Sequence, residues 1–588
     1  MNSTSHLNCK TRIVTVLLTI TFFCFTSPPV AQATNFNWAK QAGGTDQDYG
    51  IDMDTDASGN CLVTGNYRGT ATFGSVTLLS SGIFIAKYDP AGNLHWAKQA
   101  VDNGRVKSIT LDPSDNIIIT GAFRGTINID TLSFTSNGFY DIFIAKFDPD
   151  GNILWAEHTG SAASDDKGLS VAADGAGNII VSGEFTNSVP FGATTLTSMG
   201  GIDAFVAKYD AAGNNIWAVR AGTAANDRGH GNAAENSGNS FVTGDFSGKA
   251  FIAKLDASGN FLWTKTTSGG VAIGRNIAVD GSGNSTFIGN FGGSVHFESI
   301  TLTSSGSRDI FIARYDGAGN ALWAEQAGGI LDDRGMSIDV DGSGNSYTIG
   351  LFQDTATFQT ITLTSAGEGD ISIAKYDPAG NCLWVEQAGG TGHEVGRGIA
   401  LNSADDIFIT GDFQESASFG TTALSSVGLS DIFVAKLGSE LPVFRYEYAA
   451  KMICGIQRGS NNLRLPKGSY TTMINIHNPN ERRVEFLKKL ALTYPPKEQK
   501  PGLVDTIGID ILGPDEALKV DCIDIQGKLF PNGFPTPFIE GFVVIKSSES
   551  IDVSAVYTVA KPGSLLSSER VTSIDVEQIR ERKLKVTD

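Results

Sequence analysis

Seven tryptophans stand at positions 38, 96, 155, 217, 263, 323 and 384, at intervals of 58, 59, 62, 46, 60 and 61 residues. A period near 60 marks a repeated supersecondary unit and is longer than the roughly 20 to 30 residues of a solenoid coil. After each Trp comes a stretch such as Gly43-Gly44 or Gly328-Gly329, then a short apolar strand and a tight turn. A strand ending in Thr-Gly or similar follows (Val63-Thr64-Gly65, Ile119-Thr120-Gly121, Val242-Thr243-Gly244), and then a strand reading Phe-Ile-Ala-Lys. That last strand ends at Lys87, Lys146, Lys208, Lys254, Arg314, Lys375 and Lys436.

The turns read Asp-x-x-Gly-Asn, as at Asp56 to Asn60, Asp89 to Asn93, Asp148 to Asn152, Asp280 to Asn284 and Asp341 to Asn345. Asp caps a type I turn with its side chain and Gly takes the left-handed position after it, so each turn closes a β-hairpin. Four strands and two such turns per unit predict an all-β fold, a seven-bladed β-propeller over residues 34–439. If Trp lies on the outermost strand, the Trp38 strand completes the last blade and closes the ring without a covalent link.

The stretch Asp141 to Trp155 and its copies resemble the bacterial seven-bladed β-propeller repeat (SBBP) family over residues 36–436. That resemblance implies the propeller fold and says little about activity, because a fold does not fix a function. Ala86 to Trp96 is also similar to the tryptophan-docking repeat of quinone-dependent dehydrogenases, although none of their chemistry is evident here.

Lys10 and Arg12, an apolar stretch from Ile13 to Phe25, and Ala31-Gln32-Ala33 have the layout of a cleaved secretory signal over residues 1–33. The expected product is secreted or held at the cell surface, extracellular or periplasmic, with no transmembrane span in the mature chain. Cys61, Cys382, Cys454 and Cys522 then face an oxidising compartment. Cys454 and Cys522 share the C-terminal region and are the disulfide candidate.

Residues 440–588 carry no Trp and hold 20 Lys plus Arg against 19 Asp plus Glu, so the propeller carries the acidity of a chain whose net charge is −19. That charge speaks against a nucleic-acid partner. Alternating segments at Tyr470 to His477, Val484 to Leu492, Ala517 to Ile525, Gly541 to Lys546 and Ile551 to Val559 predict an antiparallel β-sandwich. Tyr470 to Pro479 and Asp552 to Thr558 resemble an uncharacterised β-sandwich module of secreted bacterial proteins.

With this strand order both Asp-x-x-Gly-Asn turns of a blade fall on one face, and the longer segments such as Arg68 to Gly82 fall on the other, the loop face. The fourth unit lacks that segment, running from Phe246 to Phe251, and a notch is expected there. Basic residues enter the innermost strands: Arg105, Lys167, Arg228, Arg275, Arg334 and Arg397. They read either as salt bridges between blades or as an anion or carboxylated-sugar site. His230, His393 and Glu394 are the loop-face residues to test for catalysis; no motif pairs them, and no catalytic residue is assigned. Asp52, Asp54 and Asp56, and Asp339, Asp341 and Asn345, echo the alternating oxygen ligands of calcium loops without the closing Glu, and calcium is the only cofactor the sequence suggests.

Two functions follow. One is a non-catalytic interaction protein whose loop face binds an extracellular glycan or protein. The other is an extracellular polysaccharide lyase or hydrolase on the same scaffold. The sequence does not give the oligomeric state.

Overall fold

The computed structural model describes residues 36–438 apart from 163, together with 446–457, 468–479, 484–492, 504–512, 517–522, 538–547, 551–560, 571–579 and 582–583. The expected signal segment lies outside them. The chain divides into two compact units, Met1–Leu437 and Gly438–Asp588.

Local chemistry builds the first unit. In the turn after Tyr49–Thr55, Asp56 accepts the Ser58 and Asn60 amides at 3.0 and 2.9 Å on Oδ1 and the Asn60 side-chain amide at 2.7 Å on Oδ2. Gly59 sits at φ +81°, which favours glycine. Tyr49–Thr55 therefore returns as Cys61–Tyr67, which pairs with Gly82–Tyr88, and a second such turn leads into Leu94–Val101. Strands like Ile117–Phe123 and Asp141–Phe147 are buried at every position because a neighbouring blade covers each face.

Seven four-stranded antiparallel blades result. The last consists of Val395–Leu401, Ile407–Phe413, Asp431–Leu437 and, as its outer strand, Phe36–Gly43. Phe36 pairs with Leu437 and Ala42 with Ile432, so the ring closes as the tryptophan spacing requires. The first strands of the blades neighbour one another all the way round.

The tryptophans fasten each blade to the next. Trp38 Nε1 donates to Pro90 O at 3.1 Å, and Trp155, Trp217, Trp263 and Trp323 donate likewise to Ala211, Ala257, Gly317 and Pro378 at 3.0 to 3.2 Å. Their rings lie on the turn glycines, where a Cβ on Gly92 would stand 2.7 Å from Trp38. The lysine ending each third strand reaches back to the acid of its own blade's first turn. Lys87 meets Asp56 at 2.8 Å, Lys146 meets Asp112 at 2.7 Å, Lys208 meets Asp174 at 2.8 Å and Lys254 meets Glu235 at 2.7 Å.

In six blades the second and third strands are joined through a small hairpin, for example Thr355–Phe358 with Ile361–Thr364. Three of these hairpins pair back onto the outer strand of the preceding blade, Ala327 with Phe358, Ala42 with Phe73 and Gly389 with Ser418, while others are tied by single bonds, Asp102 N to Asn128 O and Thr159 Oγ1 to Pro190 O. A hairpin Phe packs under it: Phe73 on Phe84, Phe191 on Phe205, Phe297 on Phe311 and Phe419 on Phe433. The fourth blade has only the Ser247–Gly248 turn. There Phe246 stacks on Phe251 at 3.8 Å, taking the place of the missing ring.

The described strands of the second unit form one antiparallel sheet in the order Val504–Leu512, Val484–Leu492, Phe538–Ser547, Tyr446–Gln457, Gly468–His477, Asp552–Ala560 and Val571–Gln578, with Ala517–Asp521 paired to Gly468–His477. The pairing of Tyr446–Gln457 with Gly468–His477 is confined to Gly455–Gln457 with Gly468–Tyr470, the narrowest point of this all-antiparallel β unit; Arg582–Lys583 adds a short edge. Alternate residues Ile474 and Ile476, Val543 and Ile545, and Val553 and Ala555 are buried. Cys522 is disulfide-bonded, Cys61 and Cys382 are free thiols, and the side chain of Cys454 lies outside those described.

Candidate binding cleft on the loop face

Every innermost strand shifts register near the start of its pairing with the second strand, at Gly50/Asp52, Val106/Ser108, Gly168/Ser170, Gly229/Gly231, Gly274/Asn276, Gly335/Ser337 and Gly396/Gly398. Each shift is a β-bulge, which re-aims a side chain. The extra residues are Ile51, Lys107, Leu169, His230, Arg275, Met336 and Arg397. Simple alternation misses this, and the recurring Gly before the bulge was the available signal.

The bulge residues Lys107, Arg275 and Arg397 join Arg105, Lys167, Arg228 and Arg334, which stand just ahead of their bulges, at one channel mouth. The Lys107 side chain is exposed at the mouth, yet partial loss of hydration, then Arg105, Arg397 and Lys167 nearby, draws its ammonium below the ordinary value. Burial, then Arg334 with Arg308 and Arg228, acts likewise on Arg275. Since Lys107 and Arg397 stand in blades two and seven, their charges act on one another across the ring and not within a sheet.

Carboxylates offset part of this charge. Glu184 takes Lys167 at 2.6 Å and Arg228 at 2.8 Å, Asp332 takes Arg334, and Asp412 takes Arg397. Arg105 instead lies over the Tyr140 ring at 5.5 Å and Arg275 donates to Asn290 at 3.3 Å; neither meets a carboxylate among the described residues. Of these ion pairs only Arg228 with Glu184 joins two blades.

Where the fourth blade lacks its hairpin, an open cleft of about 580 Å³ is lined by Gly201, Ala224, Ala225, Asn226, Arg228, Asp245, Ser247, Gly248 and Ile273. Arg228 belongs to both the cleft and the channel mouth, so the two are continuous.

His230 lies in the fourth blade, 3.2 Å from Asp245, and burial lowers its pKa despite that partner. His393 and Glu394 lie before the seventh blade, so the structure does not bring the three together. Glu394 is fully buried, pushed up to about 7 by burial and then by Asp370.

The alternating acids are used by neighbouring strands. Asp52 accepts the Met53 amide at 3.0 Å and the Ile109 amide at 3.1 Å, Asp54 accepts Leu111 at 2.8 Å, and Asp339 accepts Leu401 at 2.8 Å. Asp56 and Asp341 cap their turns, the latter with Asn345 at 2.7 Å. No group of three or more His, Cys, Asp or Glu side chains converges among the described residues.

These environments set a pH dependence. Burial lifts Asp52 and Asp339 to about 7 and Asp54 to about 6, against their amide donors. Folding therefore favours their protonated forms, a stabilisation present below the ordinary 3.8 and lost as pH rises through 6 to 7. Asp112 is the reverse: burial works against it, but Lys146 and Asn116 outweigh that and hold it below 3.8, so its contribution is lost in acid. In chelator, the melting temperature should be higher at about pH 5 than at about pH 8 by several degrees, and should fall again below about pH 3.5. A melting temperature that rises steadily to pH 8 would contradict these assignments.

The strand order, closure and inter-blade docking make the chain a β-propeller repeat protein. No family model matches it. It is 26% identical over 446 residues to an uncharacterized WD repeat-containing protein of Acanthamoeba polyphaga mimivirus, covering 65% of this chain and 30% of that one. The chain thus spans under a third of that relative's length. Among solved structures it is similar to a streptogramin B lyase (10% identity, 68% of this chain, 98% of that one, TM-score 0.38). It is likewise similar to Drosophila Plexin A in complex with Semaphorin 1b (8%, 69% and 88%, TM-score 0.32). These scores are too low to carry function across. No helix among the described residues is long and apolar enough to cross a membrane.

Proposed function

We propose that this is a non-catalytic interaction protein of the SBBP type, secreted or surface-associated, whose loop face binds an anionic partner at the fourth blade. A glycan bearing carboxylated sugars is the occupant that fits best. The reading rests on the cleft of about 580 Å³ with Arg228 in its wall, opening on a cationic channel mouth in a chain of net charge −19. A guanidinium fixes a sugar carboxylate, while Asn226, Ser247 and the glycine backbone supply hydrogen bonds to hydroxyls.

Calorimetric titration of the full chain with an oligouronate and with a neutral oligosaccharide of equal length tests this. The oligouronate should bind, more weakly as salt rises, and Arg228→Ala should lower affinity at least about tenfold without lowering the melting temperature. Ala225→Trp, which fills the cleft, should abolish binding. If neither sugar binds the folded chain at millimolar concentration, the glycan reading fails.

A further inference from the structure

At five junctions on the loop face, two carboxylates meet where one blade's outer strand passes into the next blade. The pairs are Asp431 with Asp48, Asp141 with Asp166, Asp203 with Asp227, Asp309 with Asp333, and Asp370 with Glu394. All ten groups are fully buried. Each holds a loop by an amide: Asp431 accepts Val427, Asp141 accepts Asn137, Asp309 accepts Ser305 and Asp370 accepts Ala366, at 2.8 to 3.2 Å. Their partners do the same, Asp48 accepting Gly44 at 2.7 Å and Asp333 accepting Gly329 at 2.7 Å.

At least one oxygen of each pair is left over, and two in the pair of Asp370 with Glu394. Oδ1 of Asp141, Asp203, Asp309, Asp370 and Asp431, and Oε1 of Glu394, have no hydrogen-bond partner. The glycine five residues after the tryptophan lets the carboxylates pack directly against the backbone there. A Cβ at Gly43 would stand 2.8 Å from Asp431 Oδ1 and 3.0 Å from Asp48 Oδ2, so those oxygens are no more than 5.8 Å apart. A Cβ at Gly328 would stand 2.8 Å from both Asp309 Cγ and Asp333 Oδ2.

Two buried carboxylates at such a distance repel strongly unless a positive charge lies with them. Two junctions supply it from the chain. Arg220 ion-pairs with Asp203 at 2.9 Å. At the junction of blades four and five, Lys249 occupies the strand position held elsewhere by these aspartates, as its pairing with Phe246 matches that of Asp203 with Phe185. Its ammonium donates to the Gly269 and Gly270 carbonyls. The junction of blades one and two has Gly82 at that position and no acid pair. The remaining four pairs have no ion-pair partner among the described residues.

We propose that these four junctions each bind an oxygen-preferring divalent cation, calcium, between Asp48 and Asp431, Asp141 and Asp166, Asp309 and Asp333, and Asp370 and Glu394. Carboxylate oxygens select a hard cation. The unpartnered oxygens are its anionic ligands. Bound only by the folded ring, calcium stabilises it by mass action.

The full chain, stripped with chelator and dialysed against millimolar calcium, should retain four calcium ions by elemental analysis and melt at least about 5 °C higher than in chelator. Asp309→Asn should reduce the count to three, whereas Asp203→Asn should leave it at four. If Asp309→Asn does not fold, Glu394→Gln reads the same loss at another junction. Less than one ion per chain with an unchanged melting temperature overturns the proposal and leaves ordered water or a shared proton on these oxygens. So does a gain in stability for Asp309→Asn/Asp333→Asn that is the same with and without calcium.

Discussion

Deletion of residues 36–43 will abolish cooperative unfolding of the propeller at 25 °C. The strand supplies the outer edge of blade seven, pairing from Phe36–Leu437 to Ala42–Ile432. It also buries Phe36, Ala39 and Ala42 and seats Trp38 on Gly92 of blade one. A buried Phe contributes roughly 2 to 3 kcal/mol, and with the docked indole, the alanines and the ladder the loss is on the order of 5 to 10 kcal/mol. That rivals the 5 to 15 kcal/mol by which domains are typically stable, so about the whole margin goes. All remaining tryptophans lie in the propeller, so their fluorescence reports this unit alone. A synthetic peptide of residues 36–43, added in excess, should restore the transition saturably. A deleted chain that still melts cooperatively near the parent temperature would show that the ring does not depend on its closing strand.

Asp112→Ala will cost about 3 to 5 kcal/mol, the largest effect expected of a single side chain here. Lys146 and Asp112 are 2.7 Å apart with side chains only 3% and 5% exposed, so losing the acid leaves a buried ammonium with only the Ala211 carbonyl, at 3.2 Å. The turn also loses its cap, since Asp112 accepts the Ser114 and Asn116 amides at 2.9 and 3.0 Å. Lys146→Met should cost less, because Asp112 keeps those donors. The double variant should cost less than the two singles combined, which denaturant unfolding followed by tryptophan fluorescence would measure. Strict additivity would mean that the pair does not act as a unit.

The elements set by short-range chemistry were legible before any coordinates. Tryptophan spacing counts the blades, Asp56 to Asn60 writes a turn, and the position of Trp38 requires the exchange that closes the ring. The 46-residue interval located the cleft, because a missing segment removes a hairpin and leaves a notch. What escaped depends on register and distance. A bulge adds one residue to a strand whose polarity pattern hardly changes, so Lys107, Leu169 and Met336 were not seen to share a ring with Arg275 and Arg397. Asp52, Asp54 and Asp339 alternate like ligands, yet the amides of an adjacent blade satisfy them, and adjacency between blades is invisible to a local pattern. The junction pairs were hidden for the same reason, since Asp48 meets an acid from the far end of the unit and Asp141 and Asp166 stand in different blades.

The missing hairpin has a mechanical meaning as well as a geometric one. Elsewhere a hairpin straps each blade to the one before it, and next to the noncovalent seam inside blade seven that strap is Ala42 with Phe73. Between blades three and four, where the chain runs on unbroken, that strap is absent, and their shared buried cluster is the smallest of the junctions described. Every junction is spanned by the chain, since each outer strand, Phe36–Gly43 included, runs on into the next blade, so a missing strap and not a missing covalent link sets the junction of blades three and four apart. A guest seated against Gly201, Asn226, Arg228 and Ile273 would touch blades three, four and five at once, so it would serve as the missing clasp, and occupancy and rigidity of the ring would rise together.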